Sequence, residues 1–283
     1  RAIEPVSRDD EEKLFASLRK LHEEDPSFEF ERNPETGQLI IRGQGASQFK
    51  IIKSKLESVF DVNIKDIPFI IPYRETITKV VEAQGRHKKQ SGGAGQFGEV
   101  WIRFEPIEEG FEFDEEIHGG SVPKNYFPAV EKGLSESMDK GVLAGYPMTG
   151  IKAVLYDGSY HDVDSNEVSF VSAASIAFRE GVPKAGPVLL EPIMSVEIRV
   201  PDIYMGDVMG DVTRRRGRIL GMDPVAGGYQ LIIAEIPLAE LSEYAIDLRA
   251  MTQARANFSM ELSKYEQVPR EIAEKVIGND NID

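Results

Sequence analysis

Two stretches at opposite ends of this chain switch between a hydrophobic period of two and one of 3.6 in the same order. That repeated order constrains the fold more than any other feature of the sequence. In the first stretch, alternation over residues 2–6 gives a short strand. Ser7 is a candidate N-cap with Asp10 three residues on, and Leu14, Leu18 and Leu21 share one helical face until Asp25-Pro26 stops the helix. Phe28 and Phe30 alternate with Glu29 and Glu31, residues 33–37 form a turn, and residues 39–42 return as the second arm of a hairpin. Phe49, Ile52, Leu56 and Val59 mark a second amphipathic helix, after which Val62 and Ile64 alternate as a last strand.

Toward the other end, Met194, Val196, Ile198 and Val200 alternate as a strand, residues 204–215 form a helix ended by Gly217, and residues 219–222 start a second strand. Gly227-Gly228 turns the chain into a strand over 231–236. A long helix over 238–256 follows, and Phe258, Met260 and Leu262 alternate in the final strand. Both ends therefore read βαββαβ, the split unit of ferredoxin-like folds, although their residues show no detectable identity.

The middle differs. Strands over 76–83 and 99–104 are separated by a polar, glycine-rich stretch that fits a long hairpin loop. Pro123 opens a helix running to Lys140, with Phe127, Val130, Leu134 and Met138 on one buried face. A strand over 150–156 meets a second polar loop, 157–167, before a helix over 168–180. The expectation is an α+β protein of three domains at 1–73, 74–186 and 187–283, which suits a length of 283 residues.

Hydrophobic residues make up 41% of the chain and charged residues 29%, enough apolar side chains for true cores. There is no cysteine, which excludes disulfides, thiol nucleophiles and cysteine-ligated zinc. No apolar run approaches the roughly 20 residues that span a bilayer, and the opening Arg1-Ala2-Ile3 carries no signal sequence, so no membrane partner and a cytoplasmic location are expected. Opening on arginine also suggests a piece of something longer. The net charge of −15 argues against indiscriminate nucleic-acid binding, so any RNA contact must be local. Two basic clusters stand out, Arg86-His87-Lys88-Lys89 and Arg214-Arg215-Arg216-Gly217-Arg218; solvated surface is the plain reading of each taken alone.

Several enzyme motifs are approached and missed. Gly93-Ala94-Gly95-Gln96-Phe97-Gly98 matches a dinucleotide or kinase glycine pattern, yet it leads into the strand residues Val100-Trp101-Ile102 where a dinucleotide site needs a helix, and no kinase catalytic loop accompanies it. A calcium loop starting at Asp162 fails at Glu167 and Ala173, where a glycine and a glutamate are required. Ser159 and His161 lack a nucleophile elbow. No phosphate loop for a nucleoside triphosphate occurs. Glycines at 92, 93 and 95 have another use, since backbone without side chains can approach a second molecule closely; a merely loose hairpin is the plainer alternative.

A set of ordered stretches resembles elongation factor G. These include Tyr73-Arg74-Glu75-Thr76-Ile77, Gln90-Ser91-Gly92-Gly93, Gly95-Gln96-Phe97-Gly98, Gly119-Gly120-Ser121-Val122-Pro123-Lys124, Gly158-Ser159-Tyr160-His161-Asp162-Val163-Asp164-Ser165, Leu190-Glu191-Pro192-Ile193-Met194, Gly206-Asp207-Val208-Met209-Gly210-Asp211, Arg214-Arg215-Arg216-Gly217 and Met251-Thr252-Gln253-Ala254-Arg255-Ala256. The resemblance covers essentially the whole chain and aligns it with the family's domains III, IV and V. It implies two ferredoxin-like units flanking a lever domain like domain 2 of ribosomal protein S5. It also implies that the family's GTPase domain, with its GTP and Mg2+, lies outside this chain, which itself holds no cofactor and no metal. The implied partners are the ribosome, with its rRNA and proteins, and tRNA and mRNA, met by a monomer.

By the same resemblance the tip of the lever is formed by residues 90–96 and 159–164. Its RNA-contacting candidates are Lys88, Lys89, Gln90, Ser91, Gly92, Gly93, Gln96, Ser159, Tyr160, His161 and Asp162, with His161 foremost. Arg214, Arg215, Arg216 and Arg218 are candidates for a ribosome contact, a structural helix end being the alternative. Two places depart from the family's pattern: Ala94, where many relatives have a basic residue, and Gly45-Ala46-Ser47-Gln48-Phe49, where the common pattern reads G-E-L-H-L. They point toward a paralogue with a specialised role such as ribosome recycling. A stand-alone RNA-binding adaptor without GTPase activity is a further reading.

Overall fold

The computed structural model describes residues 1–34, 36–90 and 95–280. At the amino-terminal end, strand β1 (Ala2–Pro5) leads into helix α1 (Glu11–Glu24) through a 3-10 turn at Arg8–Asp10. Ser7 precedes that turn, but its side chain makes no capping bond; its carbonyl accepts from the Asp10 N–H instead. The hairpin β2 (Glu29–Arg32) and β3 (Leu39–Arg42), helix α2 (Ala46–Phe60) and strand β4 (Ile64–Ile67) complete the unit, and the sheet order β2-β3-β1-β4 is the ferredoxin-like one. Leu14, Leu18 and Leu21 of α1 meet Ile52 and Leu56 of α2 in one core. Burial of each contributes roughly 1.5–3 kcal/mol. Val59 falls off that face and is 68% exposed.

In the middle, β5 (Arg74–Thr76) is a short strand of its own. It is followed by the long hairpin β6 (Val81–Lys89) and β7 (Gln96–Pro106), then β8 (Phe111–Glu115), α3 (Phe127–Met138), β9 (Ile151–Ser159) and α4 (Glu167–Gly181). The sheet order is β6-β7-β9-β8, with β8 parallel to β9 and the other pairs antiparallel. Helix α4 lies close against β6 and β7 because both strands carry glycine beneath it. A Cβ on Gly85 would sit 1.9 Å from the Ala173 carbonyl oxygen, and one on Gly98 would sit 2.9 Å from that of Ser169. Both hairpin strands run further toward the loop than their apolar residues indicate, since pairing continues to Lys89 opposite Gln96.

The last βαββαβ run comprises β10 (Val188–Pro201), α5 (Met205–Arg214), β11 (Arg218–Val225), β12 (Tyr229–Pro237), α6 (Tyr244–Met251) and β13 (Asn257–Gln267), in sheet order β11-β12-β10-β13. The hairpin between β11 and β12 turns on Gly227 and Gly228, both at positive φ. Helix α6 is much shorter than the sequence pattern suggests. Leu238–Glu240 form a 3-10 turn, and the helix stops where the Thr252 hydroxyl bonds the Leu248 carbonyl and Gln253 and Ala254 turn left-handed, at φ 53° and 60°. A final helix, α7 (Arg270–Asp280), has no counterpart in the sequence reading, nor does β8.

The chain separates into two compact units, Arg1–Pro72 with Ile193–Ser263, and Tyr73–Pro192 with the residues from Lys264 on. Within the second, Val188–Leu190 of β10 pair with β5, and the Val268 N–H donates to the Leu189 carbonyl. Glu75 of β5 is fully buried there and accepts N–H bonds from Leu143, Ala144 and Tyr146 at 2.8, 2.9 and 3.1 Å.

Candidate nucleic-acid interface

The two polar loops of the middle domain meet at one end of its sheet. Pairing of β7 with β9 sets Glu99 opposite Ser159, so the segment leaving β9 begins beside the start of β7. Three bonds then join them: the Phe97 N–H donates to the Asp164 carbonyl at 2.9 Å, the Gly95 N–H to Asp164 Oδ1 at 3.2 Å, and the Ser165 hydroxyl to the Phe97 carbonyl at 2.8 Å. Ser165 Oγ also accepts from the His161 N–H at 2.9 Å, and the Tyr126 hydroxyl donates to the Ser165 carbonyl. Asn166 closes the loop by capping α4, its side chain accepting from the Ser169 N–H. A single staple at 164–165 thus joins the segment after β9 to Gly95 and Phe97 at the start of β7.

His161 stands on this staple with 58% of its side chain exposed. Its Nδ1 accepts from the backbone N–H groups of Val163 and Asp164, at 3.3 and 3.2 Å. The same nitrogen lies 3.5 Å from Asp164 Oδ2, so Nδ1 is engaged within the loop while Nε2 has no partner among the described residues. Tyr160 and Asp162 are exposed beside it, and Ser159 is half-buried at the end of β9. Gln96 faces inward, with its Oε1 2.9 Å from His87 Nε2. Lys88 and Lys89 are exposed on β6, Gln90 is exposed just beyond it, and Ser91, Gly92 and Gly93 lie outside the described residues, as does Ala94.

The two basic clusters part company here. Among the described residues, Arg86, Lys88 and Lys89 make no ion pair; Arg86 lies over the Phe97 ring, 5.6 Å from its centroid. In the other cluster, Arg215 is 15% exposed and donates to Asp211, Asp247 and the Glu240 carbonyl, at 2.7, 2.5 and 2.7 Å, with its guanidinium over the Tyr244 ring. Arg216 pairs with Glu240 and Arg218 with Glu235. Arg214 keeps 79% of its side chain exposed and lies 3.6 Å from Asp211. The helix-end reading accounts for Arg215, whose donors are turned into its own domain.

The sequence reading named Arg86 only as part of its basic cluster and gave no role to Phe97 or Trp101. Continuing the period of two through residues 81–89 would have placed Arg86 and Lys88 on one outer strand face, with Gly85 and His87 on the other. Among the described residues no group of three or more His, Cys, Asp or Glu side chains is placed to hold a metal, and no helix is long and apolar enough to cross a membrane.

Three sequence models match in succession: Elongation Factor G, domain III, over residues 1–66, Elongation factor G, domain IV, over 70–186, and Elongation factor G C-terminus over 188–276. This chain belongs to the elongation factor G family. It is similar to a Thermus thermophilus protein of known crystal structure, at 44% identity and a TM-score of 0.91, the match covering 100% of this chain and 42% of that one. The chain thus spans less than half the length of that relative. The stapled loops fall within the match to domain IV of elongation factor G, and the 214–218 cluster within the C-terminal match.

Proposed function

We propose that this chain is the ribosome-engaging part of a translation elongation factor that promotes movement of tRNA and mRNA, with GTP hydrolysis supplied by domains outside it. The observation that carries this reading is the end of the sheet where Gly95 and Phe97 are stapled to Asp164 and Ser165, with the exposed imidazole of His161 and the exposed Lys88 and Lys89 beside it. A chain of charge −15 is repelled by phosphate over most of its surface, so productive contact must be confined to such a place. The Nε2–H of His161 can donate to a phosphate oxygen or ribose hydroxyl, with Lys88, Lys89, Gln90 and Tyr160 alongside. The loop that carries His161 is tied to Gly95 and Phe97 at the start of β7, and in this reading it acts by occupying space and holding RNA. The run 214–218 offers Arg214 as its most exposed ribosome contact.

The test joins this chain to a GTPase module of the family and follows mRNA movement by rapid mixing. Losing one hydrogen bond to a charged group removes roughly 1.5–3 kcal/mol, so His161→Ala should slow movement by about tenfold or more while GTP turnover stays near wild type. Unchanged movement would remove His161 from the mechanism. The second reading is a recycling paralogue, favoured by the departure at 45–49. There Gln48 bonds Asp25, Ser27 and the Gln44 N–H, closing that segment on its own domain. Splitting of post-termination ribosomes without any mRNA movement would favour recycling.

A further inference from the structure

The sheet of the middle domain has one face under α3 and α4 and one face open, and the open face is divided along its length. Toward the base its charges pair with each other: Arg103 with Glu105 and Glu116, and Lys152 with Asp114 at 3.1 Å. Toward the tip the same face carries Arg86 and Lys88, which make no ion pair among the described residues, two rings, Phe97 under the Arg86 guanidinium and Trp101, and two acids, Glu99, whose carboxylate accepts from the Gln84 amide, and Asp157 beside Trp101. Register fixes these placements. Lys88 is opposite Phe97, Arg86 opposite Glu99, and Gln84 opposite Trp101, while Val100 and Gly98 point into the core.

Trp101 is the feature that asks for an explanation. It is the only tryptophan of the chain, it sits on a central strand, and it is 36% exposed with Gln84 on one side and Asp157 on the other. A large ring left open in mid-sheet serves neither core nor edge protection. Phe97 lies four residues along on the same face, roughly 13 Å away at a strand's rise. Flat rings spaced along a strand and flanked by unpaired cations are what unpaired bases and their phosphates require.

We propose that the tip half of this open sheet face is a stacking platform for single-stranded RNA, with Trp101 and Phe97 under the bases and Arg86 and Lys88 on the phosphates. This deepens the reading above by extending the RNA contact from the loops onto the sheet. It commits to unpaired RNA, because a duplex keeps its bases stacked on one another and offers the rings no face.

Trp101 is its own reporter. Titrating the 283-residue chain at low salt with a single-stranded oligouridine should quench tryptophan fluorescence, and a duplex RNA of equal charge should not. With fluorescein-labelled oligouridine, Trp101→Leu should weaken binding about tenfold or more and Trp101→Phe should restore most of it. The double variant Arg86→Gln, Lys88→Gln should lower the slope of log affinity against log salt by about 1.4, or about 0.7 per phosphate contact. Equal quenching by duplex and single strand, no quenching, or affinity indifferent to Trp101→Leu would each overturn the platform. None of these outcomes bears on the His161 test, which reads mRNA movement on the ribosome.

Discussion

Replacing Glu75 with alanine should unfold the middle domain well before the rest of its surroundings lose order. The carboxylate is fully buried and accepts three backbone N–H groups from the segment between α3 and β9: Leu143 on Oε2, and Ala144 and Tyr146 on Oε1. Glu75 is also tied by its own backbone, donating to the Pro147 carbonyl and accepting from the Thr149 N–H, so the main chain stays in place when the side chain goes. Each stranded donor then costs about 1–3 kcal/mol; taking the low end for a part-buried segment, three of them cost roughly 3 kcal/mol. With a urea dependence of about 2 kcal/mol per molar, the midpoint should fall by roughly 1.5 M. Glu75→Gln keeps one oxygen for Ala144 and Tyr146 but turns an amide toward the Leu143 N–H, and should cost about 1–2 kcal/mol. Trp101 fluorescence follows this domain selectively, being the sole tryptophan and lying in its sheet. A fall of under about 0.3 M for the alanine variant, or one no larger than for glutamine, would refute the reasoning by showing that the three donors find water at little cost.

Arg215→Ala should destabilise by roughly 3–5 kcal/mol in chemical unfolding, since it leaves the buried Asp211 without its main partner, whereas Arg214→Ala should stay within about 0.5 kcal/mol. Tyr244→Phe should be neutral or stabilising by about 1 kcal/mol by the same measurement, because the Tyr244 hydroxyl is buried and finds no partner among the described residues. Burial also pushes that hydroxyl well above the ordinary phenol range, so no ultraviolet titration of Tyr244 should precede unfolding in alkali. Gly85→Ala should yield misfolded or insoluble protein on expression, since the added Cβ meets the backbone of α4 with no side chain to yield. The Ser27 hydroxyl, then the Gln48 amide and the Ser27 N–H, hold the Asp25 carboxyl below the usual carboxylate range. Its contribution to stability is therefore complete above the unfolded value near 4 and is lost as pH falls through the lower folded value. Asp25→Asn should flatten that acid limb, as seen in unfolding midpoints between about pH 5 and 2.

Much of the architecture was legible because two periodicities carry it. Leu14, Leu18 and Leu21 cannot share a face except on a helix, and Val196, Ile198 and Val200 cannot except on a strand. What escaped was encoded in pairing. The hairpin strands at 81–89 and 96–106 extend to the loop through charged and polar residues, since a strand with one open face is specified on that side only by its partner. Helix α6 ends early because Gln253 and Ala254 turn left-handed, with the Ala254 N–H closing on the Arg249 carbonyl, a choice that a good helical pattern through residue 256 conceals. Of the candidate interface, the two polar loops and His161 stood in the motif, whereas the joining of Gly95 and Phe97 to Asp164 and Ser165 depends on bonds between positions 68 and 69 residues apart. Asp164 reads as one more surface acid in isolation.

The two basic clusters differ in how their charges are used within this acidic chain. Where acids outnumber bases 48 to 33, a cation finds a carboxylate by default, as Arg215, Arg216 and Arg218 do. At the hairpin end Lys88 faces Phe97 and Lys89 faces Gln96, so neither lysine meets a carboxylate across the strand pair, whereas Arg86 faces Glu99 and lies over the Phe97 ring. The nearby acids are engaged, Glu99 by Gln84 and Asp164 by the Gly95 N–H. At physiological ionic strength charges farther than about 8 Å are largely screened, so the acidic body beyond that distance weakens the attraction little. The same register that pairs β6 with β7 thus leaves Lys88 and Lys89 opposite neutral side chains at the end of the domain where Gly95 and Phe97 meet Asp164 and Ser165.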